Sequence, residues 1–243
     1  MRLLLVLCAA LGAGCATAPA PTRVHAPTQS GPELFARPEA LDFTPRSTDE
    51  FFLGGAPVLQ GFFGIHSLDR LERSGGPTPS VDVAADESTL LPLFGGGGQF
   101  PVSSGPVTFG LEGMFSVGWR RDASAQAQVG GSTTPVDLDL FLLDVFGGPF
   151  LSLPVSSRLR LYGAAGPLFQ YAEYDQDGDG VGGDGAGIGF GGYARGGLEL
   201  LVRPGTLIGV GVRWSESTTD LSDGLGDLEL DGWQYVITVS RRS

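Results

Sequence analysis

The chain has 243 residues and a formal net charge of −12. That length suits one domain with a short appendage, and the negative charge argues against nucleic acid as a partner. No run of about 18 apolar residues occurs after the first residues, which excludes membrane-spanning helices. The only cysteines are Cys8 and Cys15, so we expect no disulfide in the folded part.

The first residues predict export. Met1-Arg2 supplies a positive charge, Leu3 to Leu11 is apolar, and small residues follow up to Cys15. This segment resembles the signal peptide of bacterial lipoproteins, although Gly12 holds the place where leucine is usual. The resemblance implies lipidation of Cys15 and delivery to the outer membrane, since Ala16 is not the aspartate of inner-membrane retention. The alternative is ordinary signal cleavage nearby, with Cys15 discarded or left as a free thiol.

Composition divides the chain into three segments. Residues 1–14 are the predicted signal peptide, and residues 15–48 are a proline-rich periplasmic tether without a sustained hydrophobic period. Residues 49–243 are predicted to be a single β-barrel domain. Its high glycine content suits a small barrel whose tilted strands pack around a narrow interior.

A period of two in hydrophobicity predicts about eight strands in residues 49–243. They are expected within Phe51 to His66 and around Thr89 to Gly98, Val107 to Trp119, Val136 to Leu153, Arg158 to Tyr174, Ile188 to Arg203, Ile208 to Trp214, and Trp233 to Ser240. In most of them one face is apolar and the other small or polar. This pattern fits the wall of a membrane barrel, apolar outside and polar inside.

One strand breaks the pattern. Val136, Leu138 and Leu140 fall on the same side as Asp144, so we predict a β-bulge near Leu142 that shifts the register.

The connections alternate between short and long. Turns such as 153–157 and 203–206 are short, whereas 67–88, 121–135, 175–187 and 215–229 read as long polar loops. Trp119, Trp214 and Trp233 lie beside the long loops, as an outer aromatic girdle requires. The sequence therefore predicts an all-β fold, a closed antiparallel up-and-down transmembrane β-barrel with its N-terminus in the periplasm of a bacterial outer membrane.

Two segments carry a family resemblance. Gly-Gly-Tyr-Ala-Arg-Gly-Gly-Leu-Glu-Leu at 191–200 and Gly-Val-Gly-Val-Arg-Trp at 209–214 resemble the eight-stranded outer-membrane β-barrel superfamily, which includes the outer-membrane protein A transmembrane domain and the opacity-type surface proteins. The chain departs from that family at its C-terminus, which ends in Arg241-Arg242-Ser243 where an aromatic residue is usual.

Four charged residues are predicted to face the lumen. By alternation they are Glu112, Arg195, Glu199 and Arg213. They form either an ion-pair gate, as the family resemblance implies, or a set of charges that only neutralise one another, since an unpaired buried charge costs several kcal/mol.

An acidic loop is the candidate metal site. Asp175, Asp177 and Asp179 alternate as in the first half of an EF-hand, and Asp184 adds a fourth carboxylate. Ala186 holds the place of the bidentate glutamate. The alternatives are a Ca²⁺ site, with Ca²⁺ as the protein's cofactor, and a solvated acidic turn without a ligand.

Enzymatic function is not expected. His66 lies beside Ser67 and Asp69, but adjacency in sequence does not build a catalytic triad. No Gly-x-Ser-x-Gly elbow, zinc-ligand pair or nucleotide loop is present.

The sequence thus favours a structural or surface-interaction protein of the outer membrane. Its partners would be membrane lipid and an extracellular ligand at the long loops. The alternatives are a small gated transport barrel, a membrane-embedded hydrolase, and a soluble lipocalin-like lipoprotein. The last of these predicts the opposite arrangement, with an apolar lumen and a polar exterior.

Overall fold

The structure is a computed structural model that describes residues 56–75, 81–83, 90–103, 105–129, 132–177, 183–222 and 226–242. The predicted signal peptide, the predicted tether and Cys15 lie outside these residues. The described strands are β1 (Val58–Gly75), β2 (Val81–Val83), β3 (Leu90–Ser103), β4 (Thr108–Val129), β5 (Ser132–Pro154), β6 (Leu159–Asp177), β7 (Gly183–Arg203), β8 (Thr206–Leu221) and β9 (Gly226–Arg242). Within the same ranges no helix is long and apolar enough to cross a membrane.

The sheet closes on itself. Each long strand pairs antiparallel with the next one along the chain, and β9 returns to pair with β1 from Val58↔Arg242 to Gly75↔Gly226. The three-residue β2 pairs with β1 and β4 beyond the end of β3, so it continues the position of β3 in the ring. Eight long strands therefore form the wall, and the predicted fold class, a closed antiparallel up-and-down barrel, is confirmed.

The connections at one end are tight. β7 passes to β8 through Pro204-Gly205, where Gly205 has a φ of 77°. Glycine tolerates this left-handed conformation because it has no Cβ. The β5 to β6 and β3 to β4 connections at the same end span 155–158 and 104–107.

The part of the wall nearer the short turns, here called the belt tier, has an apolar outer face. On β6 the outward residues include Leu161 and Phe169, whereas Arg160 and Gln170 are buried in the lumen. Outward residues of β8 and β9 such as Val210 and Ile237 are 60% and 43% exposed. The predicted face assignments of the last four strands are confirmed in this tier.

The part of the wall farther from the short turns, here called the outer tier, has the opposite arrangement, with apolar side chains inside and charged side chains outside. On β6 the outward residues change from Tyr171 to Glu173 and Asp175, while Ala172 and Tyr174 are buried inside. β5 and β9 make the same change, with leucines inside and carboxylates outside. An apolar interior under a charged exterior is the pattern of a barrel wall in water.

The predicted β-bulge near Leu142 is wrong. Leu138, Leu140, Leu142 and Asp144 are all buried on the inner face of β5, and β5 keeps its pairing with β6 through this stretch. The register shift lies instead on β4, between Arg120 and Ala123. The leucines and the aspartate share a face because both are lumenal, at different heights.

The predicted long loops are also wrong in extent. β1 runs on to Gly75, β4 to Val129 and β8 to Leu221, while β9 already begins at Gly226. The three tryptophans therefore lie within strands, where the outer face changes from apolar to charged. Trp214 and Trp233 are cross-strand partners at this boundary.

Candidate functional site

Three of the four predicted lumenal charges, Glu112, Arg195 and Glu199, meet in a network near the short turns. Arg195 donates to both carboxylate oxygens of Glu112, at 2.8 and 2.6 Å. Arg160 donates from Nε to Glu199 Oε2 at 2.6 Å. Such charge-assisted hydrogen bonds are roughly twice as strong as neutral ones.

Two glutamines join these ion pairs. The Gln60 amide accepts from Arg195 Nη1 at 2.7 Å and donates to Glu199 Oε1 at 2.8 Å. The Gln99 amide accepts from Arg160 Nη2 at 3.3 Å and donates to Glu112 Oε2 at 3.2 Å. The six side chains thus form a closed ring of hydrogen bonds, here called the lower network: Gln60, Gln99, Glu112, Arg160, Arg195 and Glu199.

Glu199 is the most heavily bonded member of the lower network. Its Oε1 also accepts from Thr238 at 3.1 Å and from Ser240 at 2.6 Å, and the residue is 0% exposed. Residues of five strands contribute to the ring, and β9 adds the Thr238 and Ser240 donors to it. The lower network therefore forms a partition across the lumen.

An apolar layer lies above this partition. It consists of six buried side chains that pack as one cluster: Phe62, Leu93, Met114, Phe146, Leu168 and Tyr193. The Phe146 and Tyr193 rings contact edge to face at 4.8 Å between centroids. Tyr193 links the layer to the lower network by donating to Glu112 Oε1 at 3.0 Å.

Arg213 belongs to a second polar layer, here called the upper network. It pairs with Asp144, donates to Ser116 Oγ at 3.0 Å, and its guanidinium stacks 4.1 Å from the centroid of Phe146. Gln170 donates to Asp144 Oδ1 at 3.0 Å and accepts from Ser217 at 2.8 Å. All four predicted charges face the lumen, but Arg213 hydrogen-bonds in a different layer from the other three.

A leucine-rich layer fills the lumen of the outer tier. It is one cluster of buried residues: Leu68, Leu71, Leu91, Val136, Leu138, Leu140, Leu142, Ala172, Tyr174, Leu221, Leu228 and Leu230. Burial raises the pKa of Tyr174 to about 12, against a smaller opposite effect of Arg73. The lumen is thus packed in four successive layers, two polar and two apolar.

Three of the four predicted metal ligands, Asp175, Asp177 and Asp184, lie on the outside of the outer tier. Asp175 is the register partner of both Asp139 and Asp184, and Asp177 is that of Asp137. Asp179 falls outside the described residues. Within those residues, no three acidic, histidine or cysteine side chains are placed to hold a metal ion. Calcium binding by the complete loop stays a prediction.

A surface cleft of about 600 Å³ lies among these carboxylates. Trp119, Arg121, Asp139, Glu173 and Asp184 are part of its lining. The cleft lies where the aromatic girdle meets the acidic exterior.

His66 is not assembled with its sequence neighbours into a triad. It is buried in the lumen, with Nδ1 at 3.4 Å from Gln234 Nε2. Ser67 belongs to the opposite face of β1, and Asp69 is exposed.

Sequence reasoning missed seven members of the two networks. Three belong to the lower network: Gln60, Gln99 and Arg160. Four belong to the upper network: Ser116, Asp144, Gln170 and Ser217. Arg160 alternates with the outward Leu161 on β6, and its pairing with Glu199 follows from the register of β6 and β7. Gln60 and Gln99 lie in the two strands with the weakest periodicity. A glutamine amide has both a donor and an acceptor, so it can bridge the arginine of one ion pair and the carboxylate of the next. This property is the signal by which the two glutamines could have been found.

No protein-family model and no curated protein sequence matches the chain. Solved structures do resemble it. Ail, the attachment invasion locus protein of Yersinia pestis, aligns at 13% identity and a TM-score of 0.42 over 77% of this chain and 99% of its own. The outer membrane protein OprG from Pseudomonas aeruginosa aligns at 13% identity and a TM-score of 0.47 over 80% and 98%. Neisserial surface protein A aligns at 13% identity and a TM-score of 0.39 over 78% and 98%.

The chain's own strand order, closure and outward apolar belt define its class. It is an eight-stranded antiparallel up-and-down β-barrel with an apolar belt on its outer face, which is the architecture that the sequence predicts.

Proposed function

We propose that the protein is an integral, lipid-anchored barrel of a bacterial outer membrane with a structural or surface-interaction role. The belt tier lies in the bilayer, the short turns face the periplasm, and the outer tier stands in water outside the cell. The outer tier and its loops are the working surface, and membrane lipid is the permanent partner.

The observation that carries this proposal is the packed lumen beneath an apolar outer face. Side chains of the two apolar layers are at most 7% exposed, and Gln99 and Glu199 of the lower network are 0% exposed. A wall that is apolar outside satisfies hydrocarbon, while a lumen filled layer by layer leaves little room for a solute. The apolar outer face favours a membrane barrel, and the filled lumen favours anchoring and display over conduction.

A gated transport role is the second candidate, because the lower network consists of ion pairs that would be able to exchange partners. Gln60 lies between Arg195 and Glu199. Gln99 lies between Arg160 and Glu112, so a single glutamine separates each arginine from the carboxylate of the other ion pair. The leucine-rich layer of the outer tier argues against this candidate, because opening the lower network alone would not open the lumen.

Conductance separates the two roles. We expect the purified full chain to give no reproducible current steps in planar lipid bilayers, because four packed layers block the lumen. Wild-type steps that change in size or frequency in an Arg195→Ala variant would favour transport instead. A Thr218→Ala variant, altered on the outer face of the outer tier, is the control.

Lipidation is tested directly. In cells fed an alkyne-bearing palmitate, we expect label on the wild-type protein and none on Cys15→Ser, since a thioether-linked lipid needs that thiol. The barrel is the internal control, because heat-modifiable migration depends on the folded wall and should persist in both. Equal labelling of the two proteins, or no label on either, would contradict the anchor.

No catalytic role is proposed. His66 is enclosed in the lumen, while Ser67 belongs to the opposite face of β1, so the described residues do not assemble the site that the hydrolase alternative would need.

A further inference from the structure

Charge is segregated between the two ends of the barrel. Arg158, Arg203, Arg241 and Arg242 lie at the end with the short turns. In the described residues of that half (56–62, 97–113, 147–168, 195–213 and 235–242, without Ser104), the only carboxylates are Glu112 and Glu199, both buried in the lumen. The exposed surface that the described residues form at this end therefore carries positive charge only.

Two of these arginines lie side by side on the wall. Thr206 of β8 is the register partner of both Arg203 on β7 and Arg241 on β9. Arg203 and Arg241 are exposed and their backbones are two strand spacings apart, about 10 Å. Long arginine side chains can converge over that span on one phosphate group and bind it through paired N–H donors.

The row lies directly beneath the apolar belt. Leu200, Ile208 and Val239 form the next outward row of the same three strands, and each is exposed. In a bilayer this places the two guanidinium groups at the level of the headgroups.

An apolar groove of about 910 Å³ continues up the same wall. It is lined by Leu161, Leu198, Val210, Val212 and Ile237, with Gly163 and Gly196 among the residues along it. Gly163 and Gly196 are cross-strand partners and have no side chain to fill the space. Ile237 lies four residues, about 13 Å, along β9 from Arg241, a distance that one acyl chain covers.

We propose that this wall, from β6 to β9, is a binding site for one anionic phospholipid of the periplasmic leaflet. Arg203 and Arg241 bind its phosphate group, and an acyl chain follows the outward row into the groove. The proposal rests on the membrane orientation proposed above. A lipid is the occupant because the cationic row and the apolar groove are continuous along one direction of the wall, which matches a headgroup joined to a chain.

The test measures binding of dioleoylphosphatidylglycerol to the detergent-solubilised full chain by native mass spectrometry, with dioleoylphosphatidylcholine as the neutral reference. We expect tighter binding of the anionic lipid by the wild type. Each of Arg203→Gln and Arg241→Gln is expected to weaken the first binding event about fivefold, the effect of one basic residue near an anionic surface.

Two control pairs make the test specific. Arg70→Gln and Arg121→Gln remove the same charge at the outer end and should leave the affinity unchanged. Gly163→Leu fills the groove and should weaken binding of both lipids, because an added Cβ there meets no atom closer than 3.7 Å and the barrel should still form. Gly113→Leu places the same side chain on the outside of β4, where nothing lies within 4 Å, and should have no effect.

The two levels of the proposal fail differently. If the wild type does not insert into phosphatidylcholine vesicles as a heat-modifiable, protease-resistant barrel, the proposed function is wrong. If it inserts but binds both lipids equally, or if the outer arginine variants weaken binding as much as Arg203→Gln, the lipid site is wrong. Heat-modifiable migration of each variant confirms that it has folded.

Discussion

Replacing Glu199 with leucine is expected to lower the free energy of unfolding of the barrel by about 3–5 kcal/mol, the cost of leaving a buried charge without its partner. Glu199 is 0% exposed and accepts hydrogen bonds from Arg160, Gln60, Thr238 and Ser240. Its removal leaves the Arg160 guanidinium in the lumen with only Gln99 of the lower network as acceptor. Urea unfolding of the protein refolded into phospholipid vesicles, followed by tryptophan fluorescence, measures the change.

Glu229→Leu is the matched control. Glu229 makes an ion pair of 2.9 Å with Arg70, but both side chains are at least 40% exposed, so solvent screens the interaction. We expect almost no change in stability for this variant. The double variant Arg160→Met with Glu199→Leu should recover part of the loss, because no unpaired charge remains. A double variant as unstable as Glu199→Leu alone would contradict the importance of the ion pair.

Arginine placed on the outer face of β8 should locate the edge of the membrane. At Val210, which is 60% exposed in the belt tier, Val210→Arg is expected to cost about 2–4 kcal/mol, because the charge would lie in hydrocarbon. At Thr218, eight residues further along the same face, Thr218→Arg should cost much less. Its partner on β9 is Glu229 and its outward neighbours on β8 are Glu216 and Asp220, while Phe190 of β7 lies on its other side.

The same unfolding experiment compares the two variants. Equal losses at Val210 and Thr218 would mean that the outward face of β8 experiences one environment along its whole length, and the division into belt tier and outer tier would be wrong. A soluble barrel with this fold would tolerate both substitutions, so the comparison also tests the lipocalin-like alternative.

Periodicity predicted the belt tier well because lipid imposes one rule along each strand. Outward residues such as Leu161, Phe190 and Val212 alternate with glycine or polar residues that face the lumen. The relative heights of residues on different strands could not be predicted in the same way. The pairing of Arg195 with Glu112 joins β7 to β4 across the lumen, and alternation along single strands gives no relative heights.

The outer tier was misread because its rule is the reverse. Leu138 and Leu140 alternate with Asp137 and Asp139 as regularly as any belt residues, but here water lies outside and the leucines turn inward. The side on which hydrophobic residues lie therefore changes within one strand. A sequence pattern of period two gives the alternation and leaves open which face meets the solvent.

Two of the sequence predictions depend on residues that lie outside the described part of the chain, so the barrel does not test them. Lipidation of Cys15 follows from a resemblance to lipoprotein signals. Loop binding of Ca²⁺ similarly depends on Asp179, beside the described Asp175, Asp177 and Asp184.

The lower network is cyclic, and this gives it redundancy. In a linear chain of six side chains, one broken hydrogen bond separates the members into two groups. In the ring made by Gln60 and Gln99 between the two ion pairs, any one link can open while every side chain stays connected around the other way. Thermal fluctuations of single bonds should therefore leave the partition intact, and only two simultaneous breaks would divide it.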